Sequence, residues 1–194
     1  MIDDQQKIYQ HKMDALAAKH LHQKRLDSLK KPSTLVDCLA FAVPAAYFPI
    51  RYMLKATTYQ TMAENTWEIL AAVLTVFALV KVFYKWQERS EKHSRLRDEN
   101  IFAVTSADGL LRKKGQWDER ELQYFYDQMD RLEAEDREAM LKIRQKERQE
   151  AYREALKEIS PNEAICPRCA ASAWNFTPGN CQLCGNTPAQ KDKS

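Results

Sequence analysis

Two apolar blocks, residues 35–54 and 67–86, stand in a chain otherwise dominated by Lys, Arg, Glu, Asp and Gln. The mean hydropathy of −0.62 describes a hydrophilic protein, but an average hides this segregation of grease from charge. A soluble helical protein spreads its apolar residues along every element at a period near 3.6. Here they are concentrated in stretches matching the roughly 20 residues that a bilayer-spanning helix needs. The pattern predicts an all-α membrane protein built on a two-helix transmembrane hairpin, residues 34–87.

The block LVDCLAFAVPAAYFPIRYML carries Asp37 near its start and Arg51 near its end. Both can snorkel toward opposite interfaces, which extends the short uncharged run between them. Pro44 and Pro49 remove backbone donors, a loss membrane helices tolerate when neighbours satisfy the freed carbonyls. A buried soluble hairpin is the competing reading of this block. Cys38 reads as a small apolar packing residue. The block WEILAAVLTVFALVKVFYKW is cleaner. Trp67 and Trp86 bracket it as interfacial aromatics do, and Lys81 lies close enough to the end to snorkel.

Orientation follows from positive charge near the spans. Lys24, Arg25, Lys30 and Lys31 precede the first, and Lys81, Lys85, Arg89, Lys92, Arg95 and Arg97 close or follow the second. Residues 51–66 hold only Arg51 and Lys55. Both termini are therefore expected in the cytoplasm of a cell whose inner membrane holds the hairpin. The first 33 residues have no apolar core of the signal-peptide kind, and they read as a juxtamembrane helix. His11, His20 and His22 lie among polar residues there and read as solvated surface.

Residues 88–160 form the expected cytoplasmic helical region. Residues 87–100 are charged and continue the second span as helix; IFAVTSADGLL, with its Asp108-Gly109 pair, reads as a break. From Trp117 to Ile159 there is neither Gly nor Pro. Leu122, Phe125, Met129, Leu132, Met140 and Ile143 recur at helical steps, predicting one long helix whose seam packs on the N-terminal or juxtamembrane helix, within or between subunits. Beyond Ile143 the seam thins to Ala151, Ala155, Leu156 and Ile159, and the distal half reads as a solvated spacer.

The chemistry is concentrated at 161–194. Cys166-Pro-Arg-Cys169 and Cys181-Gln-Leu-Cys184 form a C-x2-C-x11-C-x2-C pattern. Two residues between thiolates let one tight turn aim both sulfurs at a single ion, and two such knuckles complete a tetrahedron. Four sulfurs leave no open position, so the expectation is structural zinc held by Cys166, Cys169, Cys181 and Cys184; iron in a rubredoxin-type site is the competing metal. Gly185 can supply the positive φ that closes such turns. Trp174 and Phe176 are core candidates in a small two-stranded, zinc-ribbon-like knuckle, followed by a disordered tail. So small a module leans on its metal for folding free energy.

With these residues in view, the chain resembles a family of proteins of prokaryotic mobile genetic elements named for this spacing, carried by Cys166, Cys169, Cys181 and Cys184. Its layout over roughly residues 1–145 also resembles the SLATT class of two-transmembrane effectors. That second resemblance implies self-assembly and perturbation of the host's inner membrane during phage infection or element conflict, beside a nucleotide-signalling or sensor protein partner.

The leading expectation is thus an oligomeric membrane effector that forms a pore or perturbs the bilayer. Asp37 favours assembly, since a membrane-embedded carboxylate seeks a partner, and Ala40, Ala42, Ala45 and Ala46 permit close helix approach. The alternative is a membrane-tethered adaptor whose zinc knuckle binds a protein. Nucleic acid is a poor fit, because the net charge is only +3 and Arg168, Lys191 and Lys193 are few. No phosphate loop, nucleophile elbow or His-carboxylate cluster argues for an enzyme.

Overall fold

The computed structural model describes residues 2–54 and 59–189; Lys55, Lys191, Lys193 and the tail from 190 onward lie outside the described residues. Five helices follow one another: α1 (Ile2–Leu54), α2 (Gln60–Phe83), α3 (Trp86–Arg112), α4 (Glu119–Ala139) and α5 (Gln145–Ile159). They divide into two compact units, one from Met1–Lys24 with His93–Ser194, the other Arg25–Lys92.

The first unit is organised around the opening turns of α1. Ile8 and Ala15 pack with Leu96, Ala103, Ala107 and Leu110 of α3 and with Phe125, Met129 and Leu132 of α4. Met13 and Leu16 face Tyr152, Ala155 and Leu156 of α5 together with the cysteine module. Leu21 meets Met140 and Ala151 at the corner between α4 and α5. Each large side chain so buried contributes about 1.5–3 kcal/mol.

Three helix limits differ from the sequence reading. No break occurs at 101–111: Leu96, Asn100, Ala103, Ala107 and Leu110 form one buried seam at steps of three and four, which carries α3 through Gly109. The helix stops instead where Lys114 (φ 49°) and Gly115 (φ 91°) turn left-handed. Nor is 117–159 one helix. It folds back at 140–144, where buried Met140 and half-buried Ile143 seat against Leu21, and this lets the seam of α5 face α1 as well. The distal half is therefore no solvated spacer, for Ala151, Tyr152, Ala155 and Leu156 are all buried. Finally, α2 and α3 are separated at Lys85, whose φ is 50°.

His22 is a fourth correction. It is fully buried rather than solvated; its Nε2 lies 2.8 Å from Asp136 Oδ1 and its Nδ1 2.8 Å from Nδ1 of His93. Asn100 donates to the other oxygen of Asp136 at 3.0 Å and to the Leu96 carbonyl. His11 pairs with Glu133 and His20 with Glu158.

The second unit is an antiparallel helix pair. Its register is marked by Tyr47 stacked on Trp67, with centroids 4.2 Å apart, by Asp37 with Lys81 and by Arg51 with Glu64. The charges that interrupt the apolar blocks are thus matched inside the chain, Asp37 to Lys81 at 2.5 Å and Arg51 to Glu64 at 3.4 Å, instead of each reaching alone for an interface. Both helices carry windows long and apolar enough to cross a membrane, and within the chain those windows are 6% and 0% buried. Cys38 is exposed, so no packing role inside the described chain holds it.

Candidate metal centre

The four cysteine sulfurs lie within 4.8 Å of one another. The Cys169 and Cys184 sulfurs stand 3.4 Å apart, far beyond the about 2.05 Å of a disulfide. Tetrahedral thiolates about 2.3 Å from one ion stand roughly 3.8 Å apart, inside the observed spread. Cys166, Cys181 and Cys184 are buried and Cys169 is half-buried, as a closed site requires. The donor set and its geometry fit a single metal ion.

Each pair of ligands is shaped by its own turn, and the two turns are built alike. The amide of Ala170 donates to the Cys166 carbonyl and that of Gly185 to the Cys181 carbonyl, so each knuckle closes over four residues. The closing residue is left-handed in both, with φ 56° at Ala170 and 75° at Gly185. Glycine at 185 meets the requirement at no steric cost; alanine at 170 bears about 1 kcal/mol of strain. In place of the expected two-stranded ribbon, the described residues show two isolated antiparallel bridges, Ile165 with Ser172 and Pro178 with Asn186, one beside each knuckle. Eleven residues between the pairs are consumed by these separate turns and their crossing, leaving no length for continuous strands.

Asn186 ties the knuckles together, and spacing alone did not single it out. Fully buried, it donates to the Ser172 carbonyl at 2.9 Å and accepts from the Thr177 amide at 3.1 Å. Gly179 matters for a steric reason: a Cβ there would sit 2.2 Å from the backbone nitrogen of Thr187.

Helix α5 grips the second knuckle with a polar stripe at four-residue spacing. Gln145 donates to the Gln182 side chain, Gln149 to the Cys181 carbonyl at 3.1 Å, and Arg153 to the Cys184 carbonyl. Trp174 and Phe176 are 54% and 49% exposed, so they do not form the expected core. They lie instead under cations of α5: Lys157 5.0 Å from the Trp174 ring centre, Arg153 3.9 Å from that of Phe176. With little apolar interior to enter, the aromatics roof the joint.

The sulfur environment favours ionisation at one position. Burial works against a charged Cys181, but amides of Cys184 and Leu183 donate to its sulfur and bring it down to about 6. Burial and the neighbouring sulfurs hold Cys184 up, and burial raises Cys169. Desolvation also pushes the Tyr152 hydroxyl up beside them. A cation replacing the thiol protons would relieve this crowding.

No curated protein and no solved structure matches the chain. The family model of the mobilome CxxCx(11)CxxC proteins matches residues 5–187, reaching from the start of α1 to the end of the cysteine module. By that match over nearly its whole length, the chain belongs to the mobilome CxxCx(11)CxxC protein family.

Proposed function

We propose that this family member is a non-enzymatic, two-span inner-membrane effector of a mobile-element conflict system, with both termini cytoplasmic, and that zinc is the ion its cysteines hold. One observation carries the membrane reading: α1 and α2 leave Phe41, Phe48, Ile69, Val76, Leu79 and Val82 exposed along windows with almost nothing buried. Water tolerates no continuous apolar surface of that extent, whereas hydrocarbon does. Pairing Asp37 with Lys81 and Arg51 with Glu64 lowers the cost of carrying those charges at membrane depth.

The pairing moves the argument for assembly. Asp37 is satisfied by its own chain, so self-association rests on small exposed residues of α1 such as Ala42 and Ala45. Induced expression in a bacterial host with a potential-sensitive dye tests the effector role, and mass measurement in detergent tests assembly. Depolarisation together with a defined oligomer is expected. An intact potential and a monomer would leave a membrane-tethered adaptor as the function; recovery of the full chain without detergent would overturn the membrane reading.

A further inference from the structure

A cavity of 250 Å³ lies within the second unit, where the two apolar blocks meet their charged flanks. Lys30, Ser33, Thr34 and Asp37, at helical spacing on one face of α1, form one wall. Lys81, Trp86, Ser90 and Glu91 stand on the other, divided by the left-handed Lys85 that parts α2 from α3. We propose that this cavity holds the phosphodiester of a membrane phospholipid, a site that rests on the two-span reading above.

What the lining leaves unused is mostly donors. Asp37 is paired with Lys81 at 2.5 Å, and Glu91 accepts from the Gln87 amide at 3.1 Å. Among the described residues, Lys30 has no ion-pair partner, and the hydroxyls of Ser33, Thr34 and Ser90 and the indole N–H of Trp86 make no hydrogen bond. Helical hydroxyls elsewhere in this unit turn back on a carbonyl of the preceding turn, as Thr66 does to Met62 and Thr75 to Ala71. The three that line the cavity do not. Lys81 keeps further protons beyond the one it gives Asp37. A phosphodiester, which only accepts, would take up these donors together.

The charge of the lining decides which phosphate. Two lysines are balanced by two carboxylates, so a free phosphate, close to dianionic at neutral pH, meets no excess of cations. A singly charged diester held by hydrogen bonds asks for none. Position points the same way. Toward the spans, Leu35 and Leu39 of α1 and Val82 and Phe83 of α2 are all exposed, so acyl chains leaving the phosphate have apolar surface to follow. Trp86 then stands at headgroup level, where indoles concentrate.

The test is native mass spectrometry of the full chain in non-ionic detergent, titrated with dioleoyl phosphatidylethanolamine, dioleoyl phosphatidylglycerol and dioleoylglycerol. One phospholipid of either kind per chain is expected, with dioleoylglycerol at least about tenfold weaker because it lacks the phosphate. Lys30→Gln combined with Ser33→Ala should bring the phospholipids down to the level of dioleoylglycerol while helical circular dichroism stays unchanged, since Lys30 is exposed and Ser33 half-buried. Equal retention of the three lipids, or phospholipid binding unmoved by the double variant, would overturn the site in a chain that still needs detergent. Displacement of the lipid by millimolar inorganic phosphate would assign the cavity to a free anion and overturn it as well. Failure of the membrane reading shows separately, as a chain soluble without detergent before any lipid is added.

Discussion

At the scale of single residues, the knuckles place the same demand on two positions filled by different residues. Both closing residues are left-handed, but only position 185 is glycine. Gly185→Ala adds strain and sets a Cβ 2.7 Å from Gln149 Oε1; it is expected to lose about 1–2 kcal/mol of stability in urea unfolding. Ala170→Gly removes strain at some entropic cost and should fall within about 1 kcal/mol of neutral, on the stabilising side. Gly179→Ala meets backbone 2.2 Å away, which nothing flexible relieves, and should reduce chelator-resistant metal content. Asp14 makes a pH prediction. Its folded pKa is raised, by burial and then Glu133, to about 6, so its contribution is present below pH 3.8 and is lost as pH rises through 6. Asp14→Asn, which copies the protonated form, should gain on the parent above pH 6 by about 1 kcal/mol at most, a value reduced because the residue is exposed and solvent screens it. A pH-independent difference between the two denaturation curves would remove that account.

At the scale of elements, α1 and α2 depend on a charge pair and α5 on its two faces. Asp37→Ala leaves Lys81 without its carboxylate inside an apolar helix pair, and should lower membrane-integrated yield by the equivalent of about 2–3 kcal/mol. The exchange Asp37→Lys with Lys81→Asp restores the pair and should restore the yield; failure of the exchange alone would show that the pair is not what the helices need. For α5, Tyr152→Ala opens a cavity between Leu16 and the cysteine module and should cost about 3 kcal/mol, read from chemical unfolding.

At the scale of the whole molecule, the cysteine module is a structural component of the first unit and not a pendant knuckle. Cys166, Cys181 and Cys184 belong to the same buried cluster as Met13, Leu16, Tyr152 and Leu156. With zinc bound as proposed, its removal by a strong chelator should therefore unfold more than the last thirty residues. The expected loss is on the order of 5 kcal/mol, seen as a fall in helical circular dichroism that releases four titratable thiols. Unchanged helix content on metal removal would mean that the module is independently held.

What the amino-acid order determined alone was whatever depends on local spacing. Cys-x2-Cys pairs form tight turns, and their repeated spacing points to four sulfurs able to share one ion. The apolar runs at 35–54 and 67–86 read as helices from length and composition, while only the structure shows how little of them the chain itself buries. The seam from Leu122 to Leu132 likewise declares its buried face through its period. Tertiary structure decided the rest. A Gly109 that reads as a break is carried by a buried seam, and a run free of Gly and Pro is broken at 140–144 because folding back buries α5 twice over. His22, Asn100 and Asp136 are separated by 78 and 36 residues, and Asn186 bonds across the knuckles. Such partners are chosen by which helices pack together, a choice that is made by buried area over the whole unit and leaves no mark in any local stretch.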